Sequence, residues 1–260
     1  RAERLTDNGA ALRPDWSPDG TQIAFASDAD GDSDIYVVDV ETGEETKVID
    51  APGDQMGPDW SPDGTMLAFS SEESGPMEIW VAAADGNGER TQLTFDETHA
   101  IVPDWSPSGD EIAYSSEVDG DLDVYVIPAD GGEGRNLTTD LFEGADSDEY
   151  GAAWSPDGDQ IAFESTYDGD FDIHVVPADG GDAVNITADP RNDRYASWSP
   201  DGTKIVFGSD RDVDPGDTER GCAADKRQQD IFVMNDDGTE QQKLMGSPAD
   251  DSAPAWGPRS

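Results

Sequence analysis

The chain has 260 residues, 15 of them Lys or Arg and 60 Asp or Glu, for a formal net charge of −45. That charge excludes a nucleic-acid binder, which needs Lys and Arg gathered on one face, and excludes a binder of anionic membrane surfaces for the same reason. No apolar run approaches the ~18 residues of a membrane span, so no membrane insertion is expected, and the one cysteine, Cys222, excludes an internal disulfide. A hydrophobic content of 34 % at this charge would by itself suggest a chain unable to collapse. The order of the residues says otherwise. The first thirty residues hold no signal-peptide apolar region, and the chain opens on Arg1, which leaves a longer precursor open.

Along the chain, Leu5-Thr6 comes first, and Trp16 then opens a Trp-Ser-Pro motif. The motif recurs at Trp60, Trp105, Trp154 and Trp198, and Trp256 opens a Trp-Gly-Pro variant. The spacings run from 44 to 58 residues, the period of propeller blades or a solenoid. A first strand surrounds each Trp. Ser17-Pro18-Asp19-Gly20 is a turn, with Pro fixing φ at one corner and Gly taking the exit. Second strands follow at Gln22–Ser27, Met66–Ser71, Glu111–Ser116, Gln160–Ser165 and Lys204–Ser209. Third strands follow at Asp34–Asp39, Glu78–Ala83, Asp123–Pro128, Asp172–Pro177 and Asp230–Asn235. A short fourth strand ends near Leu93-Thr94, Leu137-Thr138 and Ile186-Thr187. These runs are β-branched and aromatic and are bounded by Gly, Pro and Asp. In the second and third strands both alternating sets are apolar, which means burial on both faces. No ten-residue stretch has helical periodicity.

The pattern P-x-W-S-P-D-G-x-x-I-A-F-x-S, then D-I-Y-V-x-D, then L-T, resembles the TolB-like (PD40, WD40-like) propeller repeat over essentially the whole chain. The resemblance implies an all-β propeller of four-stranded antiparallel blades, a single domain over residues 1–260. It also implies a non-enzymatic protein-binding scaffold outside the cytoplasm: extracellular, at the cell surface or periplasmic. The same repeat occurs in propellers of the prolyl oligopeptidase and tricorn types, so a propeller cut from a larger hydrolase stays open. No Gly-x-Ser-x-Gly motif and no phosphate-binding Gly-rich loop is present. His99 and His174 lie at no motif spacing and read as structural. No catalytic residue and no required cofactor is expected.

The strand count gives five complete blades and a partial sixth, closed by strands from both termini: Arg4-Leu5-Thr6 and Ala253-Pro254-Ala255-Trp256. An incomplete blade invites pairing with another chain. The alternative function is therefore a structural subunit that assembles into a fibre, with Leu5, Thr6, Ala255 and Trp256 as contacts. The irregular segment Asp210–Gln229 carries Arg211, Arg220, Lys226, Arg227 and Cys222. It suits docking on a neighbour's acidic face or a disulfide between chains.

Three loops before third strands alternate carboxylates around a Gly: Asp28, Asp30 and Asp32; Asp119 and Asp121; Asp168 and Asp170. Clustered hard oxygens suit Ca²⁺, while a tight polar hairpin in an acidic protein explains the same residues. Asn136 and Asn185 match the N-glycosylation pattern, and an Asn preceding the repeat's Leu-Thr or Ile-Thr accounts for both. The carboxylate excess is expected to loosen the fold at low salt and to be tolerated in molar salt, where the Debye length falls to ~3 Å.

Overall fold

A computed structural model describes residues 5–6, 11–139, 141, 147–211, 229–246 and 254–257. The repeat motif acts first at the turn. Ser17 Oγ donates to Asp19 Oδ1 (2.8 Å) and accepts the Gln22 N–H (2.9 Å), while the Thr21 N–H donates to Asp19 Oδ1 (3.0 Å). Gly20 closes the turn at φ 71°, a left-handed conformation that favours glycine. The same Ser–Asp pairing recurs at Ser61/Asp63, Ser155/Asp157 and Ser199/Asp201. The third repeat has Ser108 in place of the Asp, and its hydroxyl meets Ser106 instead.

These turns launch twenty strands in two compact units, residues 1–139 with 257–260, and residues 140–256. The first unit holds three sheets. They comprise β1 (Leu12–Trp16), β2 (Gln22–Ser27), β3 (Asp34–Asp39) and β4 (Glu45–Ile49); β5 (Gln55–Trp60), β6 (Met66–Ser71), β7 (Glu78–Ala83) and β8 (Thr91–Gln92); and β9 (Ala100–Trp105), β10 (Glu111–Ser116), β11 (Asp123–Pro128) and β12 (Arg135–Asn136). The second unit holds two: β13 (Glu149–Trp154), β14 (Gln160–Ser165), β15 (Asp172–Pro177) and β16 (Val184–Asn185); and β17 (Asp193–Trp198), β18 (Lys204–Ser209), β19 (Asp230–Asn235) and β20 (Gln242–Met245). Each sheet is an antiparallel meander in chain order. These are the four-stranded blades of a β-propeller, and no helix forms among the described residues.

The cores lie between sheets, as apolar residues on both faces require. Ile35 and Ile49 of the first sheet pack with Trp60, Leu67 and Phe69 of the second. Ile79 and Leu93 of the second pack with Ile112, Tyr114 and Tyr125 of the third. In the other unit, Ile173 and Ile186 pack with Trp198, Ile205 and Phe207. Each fully buried side chain of this size contributes about 1.5–3 kcal/mol, so a small apolar set per repeat builds each of these cores.

One expectation changes. The fourth strands end before Leu-Thr, because the threonine side chain replaces a backbone partner. Thr94, Thr138 and Thr187 Oγ1 accept the N–H of Ile79, Val124 and Ile173. The partial sixth blade is not confirmed: among the described residues Leu5, Thr6, Ala255 and Trp256 lie in no strand, and Arg4 and Ala253 fall outside the described residues.

Candidate functional site

Within the first unit, β1, β5 and β9 pack side by side. Each is bulged against its second strand, and the bulge is made by a residue in the left-handed region: Arg13 (φ 48°), Gly57 (58°) and Val102 (56°). A bulge re-aims the residues that follow it. The residue before each Trp is here an aspartate. Asp15 Oδ2 accepts the Trp60 N–H (3.0 Å), and Asp59 Oδ2 accepts the Trp105 N–H (2.7 Å). Asp15, Asp59 and Asp104 thus form a column of half-buried carboxylates. Burial pushes the Asp15 carboxyl up to about 6, against the lowering effect of the Trp60 N–H. Burial, with the charges of Asp104 and Asp15, pushes Asp59 well above the usual carboxylate range. Crowded carboxylates titrate jointly, so Asp15 and Asp59 keep their protons to higher pH than exposed carboxylates do.

The second unit treats the same position differently. Its first strands β13 and β17 are bulged at Gly151 (φ 66°) and Tyr195 (60°), but the residues before the Trp are Ala153 and Ser197. Charge appears elsewhere. Arg194 Nε donates to Glu164 Oε2 (2.7 Å), and the Tyr195 N–H donates to Glu164 Oε1 (2.6 Å). The guanidinium lies 4.1 Å from the Phe171 ring centroid and 5.1 Å from that of Tyr195. An arginine on aromatic faces with a buried carboxylate is a strong, directional arrangement. Sequence reasoning missed both features. The signal was an Asp before Trp in three repeats and its loss in the next two.

The loops proposed for Ca²⁺ are held by their own sheets. Lys47 Nζ donates to Asp30 (2.5 Å) and Asp34 (2.6 Å), and the Tyr36 hydroxyl donates to Asp30 (3.2 Å). The Tyr125 hydroxyl donates to Asp119 (2.5 Å), and Asn136 Nδ2 bridges Asp119 and Asp123. Asn185 Nδ2 bridges Asp168 and Asp172 in the same way. Both sequon asparagines therefore fasten a loop to the start of a third strand. Asp28 and Asp32 are exposed, and Asp121 is half-buried. Asp170 is raised by burial and by the nearby Asp172 and Asp189. Among the described residues no group of three or more His, Cys, Asp or Glu is arranged to hold a metal ion.

Of the contact candidates, Trp256 and Ala255 are exposed and Leu5 and Thr6 half-buried, while Cys222, Arg220, Lys226 and Arg227 lie outside the described residues. Arg211 is not available for docking. It bonds Asp193 (2.7 Å), Ser209 and Gln241 within its own unit and lies over Phe207 and Phe232. Burial raises Asp193 to about 6 despite that partner. His174 is buried and stacked on Phe163, so burial lowers its pKa, and His99 is exposed.

Comparisons with known proteins agree with this architecture. The Tol-Pal system protein TolB of Methylococcus capsulatus is 49 % identical over 49 residues, 19 % of this chain and 12 % of that protein. The crystal structure of TolB from Acinetobacter baumannii superposes with a TM-score of 0.73 at 23 % identity, covering 96 % of this chain and 58 % of that one. The putative TolB from Agrobacterium tumefaciens gives 0.75 at 24 % identity, covering 96 % and 86 %. Likeness at these identities shows the fold. The model of the TolB beta propeller domain matches residues 4–149 and 142–216, and the chain belongs to that PD40 family.

Proposed function

We propose that this chain is a non-enzymatic protein-binding scaffold that works outside the cytoplasm, in the periplasm or at the cell surface. The observation that carries the reading is the family match across both units. The Methylococcus relative, named as a component of a Tol-Pal system, points the same way. The charge of −45 favours a partner with a basic face, since complementary charge speeds encounter and selects partners. The fold also serves enzymes, so fold alone does not decide the role.

A second reading, self-assembly, draws on β20. All four of its residues are exposed, with Leu244 and Met245 at 60 % and 59 %. An exposed apolar edge strand is a template for another chain. Light scattering in molar NaCl, with and without Ca²⁺ and with candidate envelope proteins, tests both. The scaffold reading expects a 27.8 kDa species that forms a stoichiometric complex with an envelope protein. A mass that grows without limit in the chain alone overturns it in favour of a polymer. A mass or melting temperature that responds to millimolar Ca²⁺ but not to Mg²⁺ would support ion binding at the acidic loops.

A further inference from the structure

One gap between sheets is built unlike the others. Between the second and third sheets of the first unit lies a cleft of ≈ 440 Å³. Leu93, Phe95, Val118 and Ile127 supply its apolar wall, and Asp96, Asp119 and the exposed Glu133 its charge. Phe95 is 71 % exposed and Val118 40 % exposed, so the wall continues out to solvent.

The second strand of each sheet carries an aromatic residue stacked or paired with one on the third. In four sheets it is phenylalanine: Phe25, Phe69, Phe163 and Phe207. In the third sheet it is Tyr114, paired with Tyr125 at 5.6 Å between centroids. Tyr114 is only 2 % exposed, yet its hydroxyl has no hydrogen-bond partner among the described residues and lines the cleft. The hydroxyl is not fully enclosed, so what access it has is through the cleft, and a donor or acceptor entering there would complete its hydrogen bonding. Room for that hydroxyl has been made. Gly134 follows the third sheet's register to a position held elsewhere by Glu45, Arg90, Ala183 and Gln241. A Cβ there would stand 2.7 Å from Tyr114 Oη. Gly134 is not in the left-handed region, so space, not backbone conformation, is what the glycine supplies.

The charge is also unmatched. No Lys or Arg among the described residues pairs with Asp96 or Asp119. The Tyr125 hydroxyl and Asn136 occupy one oxygen of Asp119. Asp119 is near enough to Asp96 to raise its carboxyl further than burial alone. Asp96 and Asp119, with Glu133 at the exposed edge, the Tyr114 phenol and ring faces suit a planar cation with several donors and an apolar stem.

We propose that this cleft receives an arginine side chain of a partner protein, the guanidinium on Asp96 and Asp119 and its stem against Phe95 and Val118. The proposal rests on the scaffold reading and names where and by what chemistry the partner is held.

The test is calorimetric titration of the whole chain, in low and in molar NaCl, with an acetylated, amidated tripeptide of arginine between two leucines. The same peptide with citrulline controls for shape. The expected result is saturable binding that survives molar salt and weakens about tenfold with citrulline, the loss of one charge-assisted pair. Asp96→Asn should weaken the arginine peptide about tenfold, and Tyr114→Phe several-fold. Tyr114→Phe installs the residue four sibling sheets carry, so it should fold. Gly134→Ala should abolish binding, and its melting curve separates a closed cleft from a lost fold. Equal binding of both peptides, or unchanged binding in Asp96→Asn and Tyr114→Phe, overturns the proposal. An envelope partner that binds wild type and both variants alike leaves the scaffold reading standing and the cleft refuted. A peptide that titrates the cleft where no envelope protein binds at all refutes the scaffold reading and leaves the cleft.

Discussion

The two units use one strand design to solve opposite problems of buried charge. In the first, three bulged strands bring Asp15, Asp59 and Asp104 together, and like charges crowd. In the second, that position is Ala153 or Ser197, and Arg194 pairs with a fully buried Glu164. The register makes the substitution explicit. Arg194 stands where the first unit has Leu12, Met56 and Ile101, and Glu164 where it has Ala26, Ser70 and Ser115. The column is relieved by binding protons, the pair by mutual attraction and ring faces. Residues common to every repeat make the sheets, and departures from the repeat place the charge.

Breaking the pair should have the largest effect. Arg194→Ala strands the Glu164 carboxylate away from solvent, and removing one partner of a buried pair costs about 3–5 kcal/mol. Urea unfolding at neutral pH in molar salt should register that loss in the midpoint at unchanged slope. Arg194→Lys should recover only part of it, since an ammonium neither forks nor stacks on Phe171. A loss near zero would mean that the Tyr195 N–H and the carboxylate's other contacts carry Glu164 without the arginine.

The column should show itself through pH. Asp15 has its folded pKa raised to about 6 from 3.8. A carboxyl raised on folding contributes stability that is fully present below the unfolded value and is lost as pH rises through the folded one. Stability should therefore fall as pH rises from about 4 through about 6 on account of Asp15, with Asp59 extending the fall upward. Asp59→Asn removes a proton-linked member and should flatten the fall, so that the variant gains on wild type as pH rises above about 4. Molar salt during these measurements suppresses repulsion among the exposed carboxylates. Equal slopes in wild type and variant would remove the column's distinction from the second unit.

How much of this was legible differs by level. The second and third strands stand at the residues expected, because a dense β-branched run bounded by turn residues has one way to be buried on both sides. The fourth strands were placed two residues late. A Thr side chain that imitates a backbone acceptor, as Thr94 does for Ile79, leaves no trace in an apolar pattern. The alternating Asp loops were legible only as spacing, while the side chains that bond them, Lys47 and Asn136, lie 13 to 17 residues away. Tyr114 against Gly134 was invisible for the same reason: only the sheet register sets them side by side.

The finest test of the comparison lies in the bulges themselves. Gly57 and Gly151 occupy matched left-handed positions, at φ 58° and 66°. At Gly57 an added Cβ meets nothing closer than Arg13 Cδ at 3.6 Å, so Gly57→Ala reports backbone strain alone, about 1 kcal/mol. The chain tolerates that strain already at Val102 and Tyr195. At Gly151 the Cβ would meet Glu164 Oε1 at 3.3 Å, closer than ordinary contact, on the carboxylate that holds Arg194. Gly151→Ala should therefore cost more than Gly57→Ala by up to about 1 kcal/mol. In an Arg194→Ala background that excess should shrink, because the carboxylate is then held by one partner fewer. An excess that persists unchanged would assign it to the bulge backbone and not to the ion pair.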